Sequence, residues 1–219
     1  FEIHPLWLRE RAKTESLVDK YNDQRLYDPS QLDQELKIKK VSMSNGHINI
    51  DIPCIISNHE NLKSMVEPYN IPFEHIPINQ NNKIESESKL LNLVSKHRVD
   101  IIILARYMQI LSPSLCSLLQ GKIINIHHSF LPSFKGARPY QQAFDKGVKI
   151  IGASAHYVTQ HLDEGQIIEQ DVARVNHANS LENFISIGRD IENLVLTRAL
   201  KWHTEHRVLV NQNRTIVFY

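Results

Sequence analysis

The stretch Gly121–Pro132, GKIINIHHSFLP, decides how the rest of the chain is read. It opens as an apolar run of the kind that forms a strand buried on both faces, and then turns polar. Strand side chains alternate, so Asn125 and His127 share one side while Ile126 and His128 share the other. One face therefore ends in two polar groups. In open α/β sheets ligands bind beyond the carboxyl ends of the strands, which is where these groups fall.

From Asp51 onward the same punctuation recurs on both sides of that stretch. IPCIIS, FEHIPI, VDIIILA, VKIIGASAHYV and GQIIEQDVARV read as strands. Between them, NLKSMVEPY, NKIESESKLLNLVSKHR, SPSLCSLL and YQQAFDKG read as helices, with Ser112 as an N-cap and Pro113 in the first turn. A long helix from about Ser180 to His206 and a hairpin in RVLVNQNRTIVFY close the chain. This pattern predicts an α/β fold: a mostly parallel, Rossmann-like sheet with helices on both faces and antiparallel additions near the C-terminus. Residues 1–45 are different, being charged and free of glycine, with only a weak helical pattern around Leu6, Leu17 and Val18. They are read as an extension or linker, and 46–219 as the principal domain.

The bulk composition narrows the function classes. With 219 residues, 42% of them hydrophobic, the chain can bury a substantial core. Its 25 Lys and Arg balance 24 Asp and Glu, and no basic run exceeds KIKK, so neither a nucleic acid nor a membrane surface is expected as partner. A small substrate is. Cys54 and Cys116 lie apart in apolar segments, which suits buried thiols in a reducing, cytoplasmic setting. No apolar run reaches transmembrane length and no signal pattern opens the chain, although it begins with Phe1.

Three polar groups stand out at strand ends: Asn125, His127 and, in HYVTQHLDEG, Asp163. Singly, each has an ordinary explanation in a hydrogen-bonded core imidazole or in turn chemistry. Together they suit acyl chemistry on a neutral carbonyl. An amide and an imidazole can both donate to an oxyanion, while a carboxylate orients water and relays a proton. Ser129 lacks a Gly-x-Ser-x-Gly elbow, so a serine nucleophile is not expected. Metal catalysis is not expected either: His127 and His128 are predicted on opposite faces, HTEH lacks the His-Glu-x-x-His spacing, and there is no Cys-x-x-Cys. The seven glycines never form Gly-x-Gly or a phosphate loop. LARYMQILS, between a strand and a capped helix, has two equal readings. It is either strand-to-helix packing with Met108 and Leu111 in the core, or an apolar pocket whose backbone groups hold a flat heterocycle.

LARYMQILS, INIHHSFLPSFKGARPYQQAFDKGVKIIGASAHYVT, LDEG, QDV, GRDIENLVLTRAL and the ending RV…TIVF resemble, in order from Ile52 to Phe218, the formyltetrahydrofolate deformylases of the formyltransferase superfamily. The Asn-x-His and Leu-Asp-x-Gly elements belong to the whole superfamily; the doubled histidine, RYMQILS and the C-terminal ending favour the deformylase branch. The resemblance implies a formyltransferase fold and hydrolysis of 10-formyltetrahydrofolate to tetrahydrofolate and formate, feeding purine synthesis and balancing one-carbon pools. It implies Asn125 and His127 as oxyanion donors and Asp163 as the group handling water and its proton. Met108, Gln109 and Leu111 would line the pterin pocket, with Thr159 and His161 from the loop leading to Asp163. His128 is given no catalytic step, only a place against the neighbouring loop. No cofactor or metal is implied beyond the folate substrate and water, and the family suggests a homo-oligomer. The alternatives are a folate-dependent formyltransferase and a non-catalytic folate-binding paralogue.

Two departures from that family pattern fall at the N-terminus. No complete ACT-like domain fits within residues 1–45, and KIKKVSMSNGH stands where the family's first strand and helix should precede INIDIPCIIS. That strand is ordinarily central, so its loss either exposes backbone groups or requires another segment, such as IKKVSMS, to fill the gap.

Overall fold

The computed structural model describes residues 48, 50–79, 81–105, 109–131 and 138–219, together with the backbone of 5–8. The chain divides into two compact units, Phe1–Ile124 and Asn125–Tyr219. The division falls inside a strand. The 45/46 boundary expected from composition, and the IKKVSMS segment, lie outside the described residues.

The first unit contains β1 (Pro5–Leu8), β2 (Ile55–Ser57), β3 (Phe73–His75) and β4 (Ile101–Ala105), in the sheet order β3-β2-β1-β4. It also holds α1 (Lys63–Val66, flanked by single 3-10 turns), α2 (Lys83–His97) and α3 (Pro113–Leu118). β2 and β3 are parallel. β1 is antiparallel to both its neighbours, Leu6 facing Ile55 on one side and Ile103 on the other. Leu6 thus belongs to a strand rather than to the weak helical pattern predicted around it. Four residues cannot complete a stable helix of their own, whereas a strand that short pairs its backbone with two partners. β1 lies between β2 and β4 in the sheet order.

β4 reads as predicted, with all five residues buried. α3 begins where its cap predicts: Ser112 Oγ accepts from Leu115 N–H at 3.2 Å, and Pro113 occupies the first turn. Cys54 and Cys116 are both buried cysteines outside any disulfide.

The second unit takes over β5 (Ile123–His127) from Asn125 and adds β6 (Ile150–Tyr157), β7 (Ile167–Arg174) and the hairpin of β8 (Val208–Asn211) and β9 (Arg214–Val217). β6 and β7 are antiparallel, as are β8 and β9, so the antiparallel character expected near the C-terminus is present. Between Ala155 and His156 the β6–β7 register shifts, a bulge of the kind that re-aims side chains beside active sites. α4 (Pro139–Asp145) and α5 (Leu181–Thr204) complete the unit. Ser180 and Asn183 form a reciprocal capping box at the start of α5. Tyr140 of α4 lies so close to α5 that a Cβ on Gly188 would come within 2.1 Å of its ring, and its hydroxyl donates to Glu192 at 2.5 Å. The fold is α/β with parallel and antiparallel strands. Among the described residues no helix is long and apolar enough to cross a membrane.

Candidate active site

Three of the predicted groups converge within the second unit. Asn125 and His127, two residues apart on β5, are 8% and 7% exposed. The turn after β6 brings Asp163 to them, with Oδ1 3.3 Å from His127 Nδ1. Asp163 adopts φ 54°, in the left-handed region that Asp tolerates better than most residues, and this bend turns its carboxylate inward. Burial pushes that carboxyl up. The hydrogen bond from His127 and the fields of His127, His156 and His128 outweigh this and hold it below its ordinary value, so the group is a carboxylate at neutral pH.

A fourth member was not singled out from the sequence. His156, 3% exposed on β6, places Nε2 3.2 Å from Asn125 Nδ2 and Nδ1 2.9 Å from the Tyr157 carbonyl. A carbonyl only accepts, so Nδ1 carries the proton. Burial holds the imidazole below its ordinary pKa despite the Tyr157 carbonyl and Asp163, so it is neutral and Nε2 is an acceptor. It therefore takes a hydrogen bond from the Asn125 amide and fixes which way that amide faces. One N–H remains for a ligand. Asn125 Oδ1 and His127 Nε2 are buried and have no partner among the described residues. The signal that could have found His156 is the one that found Asn125 and His127: Ser154 and His156 are polar residues on one face of an otherwise apolar strand.

Strand alternation does not extend to His128. β5 ends at His127, and the two imidazoles stack with centroids 5.4 Å apart and planes 10° from parallel. The opposite-face expectation is corrected because the pleat stops with the strand. The following loop is fixed by Ser154, whose hydroxyl donates to the Ser129 carbonyl at 2.9 Å and accepts from Leu131 N–H at 3.0 Å. Gln170 Nε2 donates to the same hydroxyl at 2.8 Å.

The remaining predicted residues are distributed as follows. Thr159 and His161 bond to each other, Oγ1 of Thr159 meeting both the carbonyl and the N–H of His161, and so shape the turn toward Asp163. Gly165 closes that turn, with no room for a Cβ, which would come within 1.6 Å of the Tyr157 carbonyl. Leu111 is buried and Gln109 half-buried in the first unit. Their segment is held by α2, where Lys83 Nζ donates to the Ile110 carbonyl at 2.7 Å and Glu87 accepts from Ser112 N–H at 2.9 Å. Met108 lies outside the described residues. Among the described residues no group of three or more His, Cys, Asp or Glu is arranged to hold a metal ion.

An amide donor, an imidazole and a carboxylate gathered at strand ends of an α/β chain are groups that can serve chemistry on a carbonyl, and the architecture is that of the formyltransferases. The glycinamide ribonucleotide transformylase 1 of Symbiobacterium toebii, at 22% identity, shares it with a TM-score of 0.76 over 94% of this chain and 99% of that one. Residues 27–200 match the formyl transferase family. The chain belongs to that family. It is similar to the formyltetrahydrofolate deformylase of Bacillus subtilis, 53% identical over 173 residues that cover 79% of this chain and 58% of that protein. It is also similar to the crystal structure of a formyltetrahydrofolate deformylase from Pseudomonas syringae, with a TM-score of 0.78 and 50% identity over 84% of this chain and 62% of that one. The chain thus spans about three fifths of the length of these relatives.

Proposed function

We propose that the chain hydrolyses 10-formyltetrahydrofolate to tetrahydrofolate and formate, feeding purine synthesis and balancing one-carbon pools in the cytoplasm. The observation that carries this reading is the buried cluster of Asn125, His127 and Asp163, with His127 Nε2 left unpartnered among the described residues. The names of the similar proteins support the choice of a folate hydrolase over a transferase.

In the proposed reaction a water oxygen bonds to the formyl carbon and the carbonyl electron pair moves onto its oxygen. Asn125, by its remaining N–H, and His127, donating from Nε2, stabilise that oxyanion. Asp163 accepts from His127 Nδ1 with one oxygen and orients the water with the other. The proton released by water reaches N10 through this pair as the carbon–nitrogen bond breaks, and formate leaves. Gln109 and Leu111, with Met108, line the pterin pocket in this reading, and Thr159 and His161 shape its loop. The reaction requires neither a metal nor a cofactor, and a homo-oligomer is part of the same proposal.

The test is formate release from 10-formyltetrahydrofolate by the purified chain, with and without an amine acceptor, beside His127→Ala. Release that needs His127 but no amine is the expected outcome. Turnover only when an amine is added would identify a transferase, and binding of folate without turnover a non-catalytic relative.

A further inference from the structure

Among the described residues the ring of His127 is held on one edge by a single hydrogen bond of 3.3 Å, yet the reaction proposed above needs its other edge aimed at one oxygen. The rest of its restraint comes from packing, and the ring stacked on it is His128, itself only 6% exposed. His128 in turn meets the Tyr140 ring, with centroids 6.2 Å apart and a tilt of 42°. Tyr140 is fixed from two sides, by its hydroxyl on Glu192 and by the bare backbone of Gly188. A rigid series thus runs from α5 through Tyr140 and His128 to the imidazole of His127.

We infer that His128 is a positioning residue for the reaction: its ring, backed by Tyr140, holds the His127 imidazole in the plane that keeps Nδ1 on Asp163 and Nε2 toward the reacting oxygen. This rests on the hydrolase reading. A flat ring is what the position requires, since a stack restrains the orientation of its partner where an aliphatic side chain restrains only its place. Misplacing a reacting group by about 1 Å costs about a hundredfold in rate, so loss of the stack should lower turnover while leaving folate binding intact.

The experiment compares the chain with His128→Ala and His128→Phe in formate release and in nitrogen–proton NMR of histidine-labelled protein. For His128→Ala, kcat should fall by about tenfold to a hundredfold with KM changed less than about twofold. The Nδ1 proton of His127, hydrogen-bonded to Asp163, should broaden or vanish. His128→Phe keeps a ring and has room, because His128 lines a cavity of about 450 Å³ with Tyr140, Ile151 and Gly152. It should restore both the signal and most of the turnover. An unchanged kcat in His128→Ala would overturn the inference. So would His128→Phe as slow as His128→Ala with the His127 signal intact, since His128 would then act through its nitrogens. Should His128→Ala fail to fold, His128→Asn, polar but without a ring, takes its place with the same expected outcomes. If the unaltered chain releases no formate the hydrolase reading fails, and the NMR comparison still decides whether His128 orders His127.

Discussion

His203 ties the end of α5 to the strand that carries His156, and it makes the stability of this unit depend on pH. Its Nδ1 lies 2.7 Å from the Tyr157 hydroxyl. Burial pushes that phenol up to about 12, so it keeps its proton and donates, and a neutral His203 accepts. Burial, with the nearby His206, pushes His203 down from 6.5 to about 4. The unfolded chain therefore takes a proton before the folded one does. Stability is intact above about pH 6.5, falls as pH drops through the window to about 4, and then levels off. At about 1.36 kcal/mol for each pH unit in that window, the loss by pH 5 is about 2 kcal/mol. His203→Asn isolates this contribution, because Oδ1 of asparagine can occupy the place of Nδ1 and accept from Tyr157 without titrating. Urea unfolding at pH 7.5 and 5.0, followed by Trp202 fluorescence in a Trp7→Phe background, gives the comparison. The stability gap between the two proteins should shift by about 2 kcal/mol in favour of the asparagine variant at the lower pH. His156, also buried and neutral, remains in both and cancels. Parallel pH profiles would show that His203 is not neutral through burial and would refute the reasoning.

Asp163→Asn keeps a residue tolerant of the left-handed bend and removes the charge, so kcat for formate release should collapse while folate affinity holds; equal losses in both would exclude a proton-handling role. Asn125→Ala removes an oxyanion donor, which usually costs about 2.7 to 4 kcal/mol, and should slow hydrolysis by roughly a hundredfold to a thousandfold; a change of a few fold would make Asn125 structural. Gly165→Ala places a methyl where the Tyr157 carbonyl stands, so chemical denaturation should report a loss of about 2 kcal/mol or more, and activity should fall because the strand end bearing His156 must move.

Local signals were legible wherever the physics is local. Ser112 with Pro113 marked a helix start because a cap is a bond between near neighbours in sequence. Asn125 and His127 were legible as one polar face because alternation needs only the strand itself. Their convergence with Asp163 was not written in any spacing; it was expected because all three fall at strand ends, where open α/β sheets bind ligands, and from the family resemblance. His156 was passed over since alternation names a face but not the residue across from it on another strand. His128 was misplaced because the pleat ends one residue earlier than the polar run. β1 was illegible for a different reason: four residues in a charged segment carry no period, and their pairing with Ile55 and Ile103 depends on chain that folds elsewhere.

The site also carries a cost that bears on its use. His127 Nε2 and Asn125 Oδ1 are buried without partners among the described residues, and a buried unsatisfied group costs about 1–3 kcal/mol. Asp163 adds a left-handed backbone. A fold tolerates such costs when neighbouring structure fixes them, and here it does: His156 sets the Asn125 amide, Asp163 engages His127, and Gly165 lets the turn close on the strand. Among the described residues nothing relieves these atoms, so a bound molecule is expected to do so. A ligand presenting a carbonyl oxygen can accept from the free Asn125 amide N–H and from an N–H at His127 Nε2, which raises its affinity, whereas Asn125 Oδ1, itself an acceptor, calls for a donor such as water. At a hundred times its Kd any ligand specific for the folded state contributes about 2.7 kcal/mol. The test is whether a formylated folate binds more tightly than tetrahydrofolate, and whether Asn125→Ala, which removes the amide N–H that would meet the formyl oxygen, narrows that difference. If the two folates bind alike in both proteins, the bare atoms are not where the formyl group sits.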